Sequence, residues 1–228
     1  CKWEWITSME NRRKFGNRVI PFYGGKHPKL FEIERRCMDR EGRVIDFLDR
    51  HLPGGLVLDV GAGNGFTAIR LATSKRTVIP LEPDADMIDT HIPLIWTWAV
   101  AQDIPFHDST FHAAYSTWAF FFEGIDTIEE GLCELDRVVK PGGRIIIIDN
   151  AGGDEFCALS PRNIASNPDW WKSRGFQATF IETAFRFDSL EEANELLGFY
   201  FGEDVRERNR KTEIGYKVVA YMAEAKLT

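Results

Sequence analysis

Apolar and polar positions along this 228-residue chain change period several times. Val57-Leu58-Asp59-Val60 is an apolar run with one carboxylate in it. It leads into Gly61-Ala62-Gly63-Asn64-Gly65, after which the apolar spacing turns helical at Ile69, Leu71 and Ala72. That order predicts a buried strand, a tight glycine turn and a helix start. Further strands are predicted over Thr77 to Glu82, Ile145 to Ile148, Gln177 to Phe187 and Tyr216 to Met222. Helical stripes separate them. Ile33, Cys37, Val44, Ile45 and Leu48 predict one helix over 32–50, stopped by Pro53-Gly54-Gly55. Thr127 and Glu130 form a capping box ahead of Ile128, Leu132, Leu135 and Val139. Ser189 and Glu192 repeat it ahead of Ala193, Leu196 and Leu197, with Gly198 as the C-cap. Strands alternating with helices imply an α/β doubly wound sheet. The aromatic, basic residues 1–31, with Gly24-Gly25 as a hinge candidate, stand apart as an N-terminal extension, and 32–228 form one domain.

Composition narrows the function classes. The net charge of −7 disfavours an extended nucleic-acid interface. No run approaches the roughly 18 apolar residues of a membrane span. The stretch Cys1-Lys2-Trp3-Glu4-Trp5 has no signal-peptide apolar region, so a cytoplasmic location is expected. Cys1, Cys37, Cys133 and Cys157 form no Cys-x-x-Cys pair, and neither a disulfide framework nor a metal site is indicated. Cys37 and Cys133 fall on apolar stripes and read as small core residues.

Asp59 through Gly65 resembles motif I of the class I S-adenosylmethionine-dependent methyltransferases, and the likeness recurs in order. Glu82 ends the second strand and is followed by Pro83-Asp84-Ala85-Asp86-Met87. Ala101-Gln102-Asp103-Ile104-Pro105-Phe106 and Arg137-Val138-Val139-Lys140-Pro141-Gly142-Gly143 are similar to two later segments of the same family, of the type 11 branch. Four ordered matches over residues 56–149 are far more specific than one glycine motif. The resemblance implies a Rossmann-like sheet of seven strands, the last antiparallel, with an N-terminal helical lid.

It also implies a cofactor site for S-adenosylmethionine, whose product is S-adenosylhomocysteine. Gly61, Ala62, Gly63 and Gly65 would lie against the cofactor, with helix N–H groups for its carboxylate, and Asp59 would help hold the amino-acid end. Glu82 would take the ribose hydroxyls, because a carboxylate is acceptor-only and receives two O–H groups at once. Asp84 and Met87 would flank adenine and ribose, with Pro83 beside them in the cofactor site, Met87 serving equally as a core residue. Ala101, Gln102 and Asp103 would read the adenine edge, although Val100 stands where the family often has an Asp. Ser116 to Trp118 would line the opposite face, and Tyr23 would close over the cofactor as a lid residue. His112 replaces the usual Asp, and Phe122 stands where many relatives carry a His.

The activated methyl makes alignment and water exclusion the protein's main tasks. No residue is assigned as catalytic; Asp149, Asn150, His27 and His112 are the base or orienting candidates. An aromatic lid, 1–31 with the stretch Ala151 to Trp171, suits a small, partly apolar acceptor bound by a monomer or homodimer. Two other readings stay open: a protein or tRNA methyltransferase using Arg12 to Lys14 or Arg206 to Lys211, and a cofactor-binding regulator without transfer. A nicotinamide dehydrogenase fits least, because the third fingerprint glycine is missing.

Overall fold

The computed structural model describes residues 14–19, 22–119 and 128–226. Its strands are β1 (Gly55–Val60), β2 (Arg76–Leu81), β3 (Phe111–Thr117), β4 (Val139–Asn150), β5 (Gln177–Arg186) and β6 (Glu213–Glu224). They form one sheet in the order β2-β1-β3-β4-β6-β5. The first four are parallel, and β6 runs antiparallel to both β4 and β5. Both faces are covered, so the central strands read as continuous apolar runs. Val57, Tyr115, Ile146 and Ile148 pack on one face; Leu58, Ala114, Ile145 and Ile147 pack on the other.

The helices are α1 (Tyr23–Lys26), α2 (Pro28–Cys37), α3 (Arg43–His51), α4 (Phe66–Leu71), α5 (Ile128–Val138), α6 (Glu155–Ala158), α7 (Pro168–Lys172), α8 (Leu190–Phe201) and α9 (Glu203–Arg208). Among the described residues no helix is long and apolar enough to cross a membrane. Arg76, buried at the start of β2, ties the carbonyls of Leu52, Pro53 and Leu71 and the Asp49 carboxylate to one guanidinium.

Four expectations need correction. The sheet has six strands among the described residues, not seven. The missing edge strand is reduced to one parallel bridge, Leu81 to Thr97, with Thr97 N–H on the Pro80 carbonyl and Glu82 N–H on the Thr97 carbonyl. Extending that ladder toward Ile95 would require an N–H from Pro80, which has none. Residues 32–50 form two helices, because Asp39 turns the chain at φ 52 and its carboxylate caps α3 through Arg43 and Val44 N–H; α2 also starts before residue 32 and crosses the expected boundary. Gly198 lies inside α8, which runs on to Gly202. A Cβ at Gly198 would stand 2.7 Å from the Arg206 side chain, so the glycine lets α9 fold back on α8. Cys133 is exposed on α5, whereas Cys37 is buried. Ser189 does cap α8, accepting from Glu192 N–H at 3.1 Å. Thr127, the other cap residue, lies outside the described residues.

Candidate functional site

The order of strands reverses between β1 and β3, and a crevice opens beyond their carboxyl ends, where α/β sheets bind ligands. The Gly61 and Ala62 N–H groups both donate to the Leu81 carbonyl, at 2.9 and 3.1 Å, which curls the turn over the end of β2. Gly61 has φ +72, and a Cβ there would lie 2.3 Å from that of Ala119. Only glycine meets both conditions.

Glu82 sits at the floor of this crevice, 6% exposed. One carboxylate oxygen accepts from Gly63 N–H and the other from Asp84 N–H, each at 2.8 Å. Burial pushes its carboxyl up to about 8; the two N–H bonds pull the other way, and the nearby Asp84 and Asp59 add to the rise. Each oxygen keeps acceptor capacity for a further donor.

The crevice has two lobes, of about 460 and 750 Å³, which share Arg18, Gly61, Pro83 and Ala119. Val60, Leu81, Val100, Ala101 and Gln102 make the first an apolar slot with an amide at its rim. The second holds Ala62, Gly63, Glu82, Met87 and Trp118, with Arg35 opposite. The Arg35 guanidinium stands 5.4 Å from the Trp118 ring and 5.2 Å from that of Phe66. Trp118 itself holds a left-handed backbone, φ 51, a conformation that costs energy and clusters at functional sites.

Many of the residues anticipated from sequence therefore line the crevice: Gly61, Ala62, Gly63, Glu82, Pro83, Met87, Ala101, Gln102, Thr117 and Trp118. Others stand elsewhere. Asp59 is fully buried inside β1, where Tyr115 donates to it at 2.8 Å; burial pushes its carboxyl to about 7. Its other oxygen has no partner among the described residues. Gly65 caps α4 at φ 80 and faces Trp96. Asp103 is exposed, its N–H turned back to Val100. Ser116 is buried with its hydroxyl on the Val60 carbonyl, because period-2 alternation turns it inward and leaves Thr117 at the crevice. Tyr23 lies one chamber away, its hydroxyl held by Glu34 and, at 2.8 Å, by Tyr200. The α4 amide at Phe66 is occupied by the Asn64 side chain at 3.2 Å.

Residues 58–147 match the family model of a methyltransferase domain. The ubiquinone/menaquinone biosynthesis C-methyltransferase UbiE of Geotalea daltonii is 25% identical over 64% of this chain and 61% of its own length. The demethylmenaquinone methyltransferase of Tropheryma whipplei is 29% identical over 59% of this chain and 64% of its own. A solved S-adenosylmethionine-dependent methyltransferase of Thermotoga maritima superposes with a TM-score of 0.57, at 18% identity, covering 90% of this chain and 97% of that one. The chain has the fold of the class I methyltransferases, and residues 58–147 carry the match to their domain. It spans about six-tenths of the length of the two curated relatives.

A larger chamber, about 1670 Å³, opens on the far side of Trp118. Its wall is aromatic. Trp118 stacks on Tyr216 at 6.5 Å and its Nε1–H donates to the Tyr216 hydroxyl at 2.7 Å. Tyr216 in turn donates to Asn150, and Phe156 packs on it at 5.1 Å. Asp149 and Glu34 supply two buried carboxyl groups. Asp149 Oδ1 accepts from Asn150 N–H at 2.7 Å, while Oδ2 has no partner among the described residues. Burial pushes the Asp149 carboxyl to about 7. Burial also raises that of Glu34, against the charge of Arg35.

Neither histidine candidate serves here. His112 Nδ1 accepts from Leu56 N–H at the opposite end of the sheet, near Lys140 at 2.8 Å, and His27 packs on Phe199. The sequence reading also missed Arg18, Phe31, Asn64, Arg35 and Ala119 in the crevice, while Thr117, within the anticipated stretch Ser116 to Trp118, lines it. Asn64 lies between two glycines already singled out, so the spacing carried that signal. The aromatic positions Phe120 and Phe122 lie outside the described residues.

Proposed function

We propose that this chain is an S-adenosylmethionine-dependent methyltransferase acting on a small, partly apolar metabolite. The observation that carries the reading is Glu82: a buried carboxylate, oriented by two backbone N–H groups, with acceptor capacity left over at the floor of the crevice. That arrangement suits a vicinal pair of ribose hydroxyls. The apolar slot beside Ala101 and Gln102 suits adenine, and the second lobe, from Gly63 to Trp118, suits the methionine end.

The bound cofactor supplies an activated methyl group on a sulfonium. The chain's own residues then orient and enclose. Glu82 holds the sugar, the backbone at Gly61 admits close approach, and Trp118 stands between the crevice and the acceptor chamber. The aromatic chamber and the negative net charge both favour a small acceptor over RNA. The named activities of the two curated relatives, on quinone-pathway compounds, agree with a partly apolar acceptor. A cytoplasmic monomer or homodimer is part of the same proposal. Incubation with methyl-labelled cofactor and a cell extract tests it. Label is expected in the small-molecule fraction; label confined to protein or tRNA would contradict the reading.

A further inference from the structure

The acceptor chamber has a charge pattern that the relatives' names do not specify. Asp149 is 4% exposed at the end of β4 and lines the chamber, and its Oδ2 has no hydrogen-bond partner among the described residues. Glu34 is the second buried carboxyl in the wall. Arg162 is the only basic side chain among the described lining residues, and it is exposed at the rim. Arg35 approaches Glu34 from the neighbouring crevice, and among the described residues no ion pair reaches Asp149. A buried carboxylate without a counter-charge is costly, and a ligand that brings one relieves that cost. The walls beside it are the stacked rings of Trp118 and Tyr216, with Phe156 against the latter. Faces of this kind attract a desolvated cation.

We propose that the methyl acceptor is an amine on an aromatic body, and that its ammonium binds Asp149 Oδ2. A neutral alcohol of the same shape makes a hydrogen bond but leaves the carboxylate's charge unbalanced. An anionic acceptor is repelled by two carboxyl groups. On transfer, the ammonium first gives one proton to the Asp149 carboxylate, which frees the nitrogen lone pair. The N–C bond then forms as the S–C bond breaks, with that electron pair remaining on sulfur. This inference rests on the methyltransferase reading.

Binding tests it without turnover. Protein saturated with S-adenosylhomocysteine is titrated with phenethylamine, 2-phenylethanol and phenylacetate, three ligands of one shape and different charge. Phenethylamine is expected to bind at least about tenfold tighter than the alcohol, and phenylacetate weakest. Asp149→Asn, close to isosteric, is expected to erase the preference for the amine while S-adenosylhomocysteine still binds. Equal binding of amine and alcohol by the unmodified protein overturns the proposal, as does an amine preference that survives in D149N or a failure of all three ligands to bind. A failure of S-adenosylhomocysteine itself to bind would instead overturn the methyltransferase reading, so the two failures are distinct.

Discussion

Replacing Glu82 with Gln isolates the charge from the shape at the floor of the crevice. In the native chain each carboxylate oxygen accepts one backbone N–H at 2.8 Å, from Gly63 and from Asp84. The amide keeps one acceptor and turns its NH₂ toward the other N–H, so one buried donor loses its partner. That costs about 1–3 kcal/mol of stability. The ligand side is affected separately. A carboxylate receives two hydroxyl protons, whereas the amide receives one and meets the other with a donor. A lost hydrogen bond to a charged group is worth about 1.5–3 kcal/mol, or roughly a 10- to 150-fold weaker affinity. The pH dependence sharpens the test. Burial pushes the Glu82 carboxyl up to about 8, so affinity for S-adenosylhomocysteine should rise between pH 6.5 and 8.5 as the carboxylate ionises. Glu82→Gln should flatten that rise. Calorimetric titration at several pH values, with a thermal melt to verify folding, measures both. A folded variant with unchanged affinity and an unchanged pH slope would refute the assignment.

Other expectations follow from the same geometry. Gly61→Ala places a Cβ 2.3 Å from that of Ala119 and forces a left-handed alanine; a loss of at least about 1–2 kcal/mol in urea denaturation is expected, with cofactor binding lost, and a fully stable, binding-competent variant would contradict the role given to the turn. Trp118→Phe removes the bond to Tyr216, and turnover should fall more than cofactor affinity; the reverse pattern would move Trp118 out of the acceptor wall. Arg76→Met strips one guanidinium from three carbonyls and Asp49, so roughly 3 kcal/mol or more should be lost in denaturant, and a loss below about 1 kcal/mol would show that these bonds are not coupled. Stability should also depend on pH. Asp59, Glu82 and Asp149 are raised to about 7, 8 and 7 in the fold, so between their unfolded values and these the native state binds more protons than the unfolded one. Stability therefore falls as pH rises through that window. The melting temperature of the ligand-free protein should drop from pH 5 to 8.5, and a rise would contradict the burial of these groups.

The sequence made the crevice legible where backbone geometry dictated residue type. Gly61 and Gly63 are set by the turn, and Glu82 by its place after β2, so short-range order was enough to find them. Legibility failed where the direction of a side chain decides. Ser116 and Thr117 differ by one residue, and only the register of β3 tells which faces the ligand. Asp59 reads as a strand-end carboxylate, but Tyr115, 56 positions along the chain, holds it inside the sheet. The shortness of the edge pairing was latent in Pro80, whose lack of an N–H stops the ladder beyond Thr97. Arg35 lay beyond reach for another reason. Its place opposite Trp118 depends on how α2 packs across the sheet, which no local pattern encodes.

The proposed cofactor of the crevice above Glu82 is S-adenosylmethionine. Calorimetric titration of the unmodified protein with S-adenosylmethionine, S-adenosylhomocysteine and NAD tests it most directly. Saturable binding of the two sulfur ligands, with none of NAD, is the predicted result. Binding of NAD, or of neither sulfur ligand, would contradict the account.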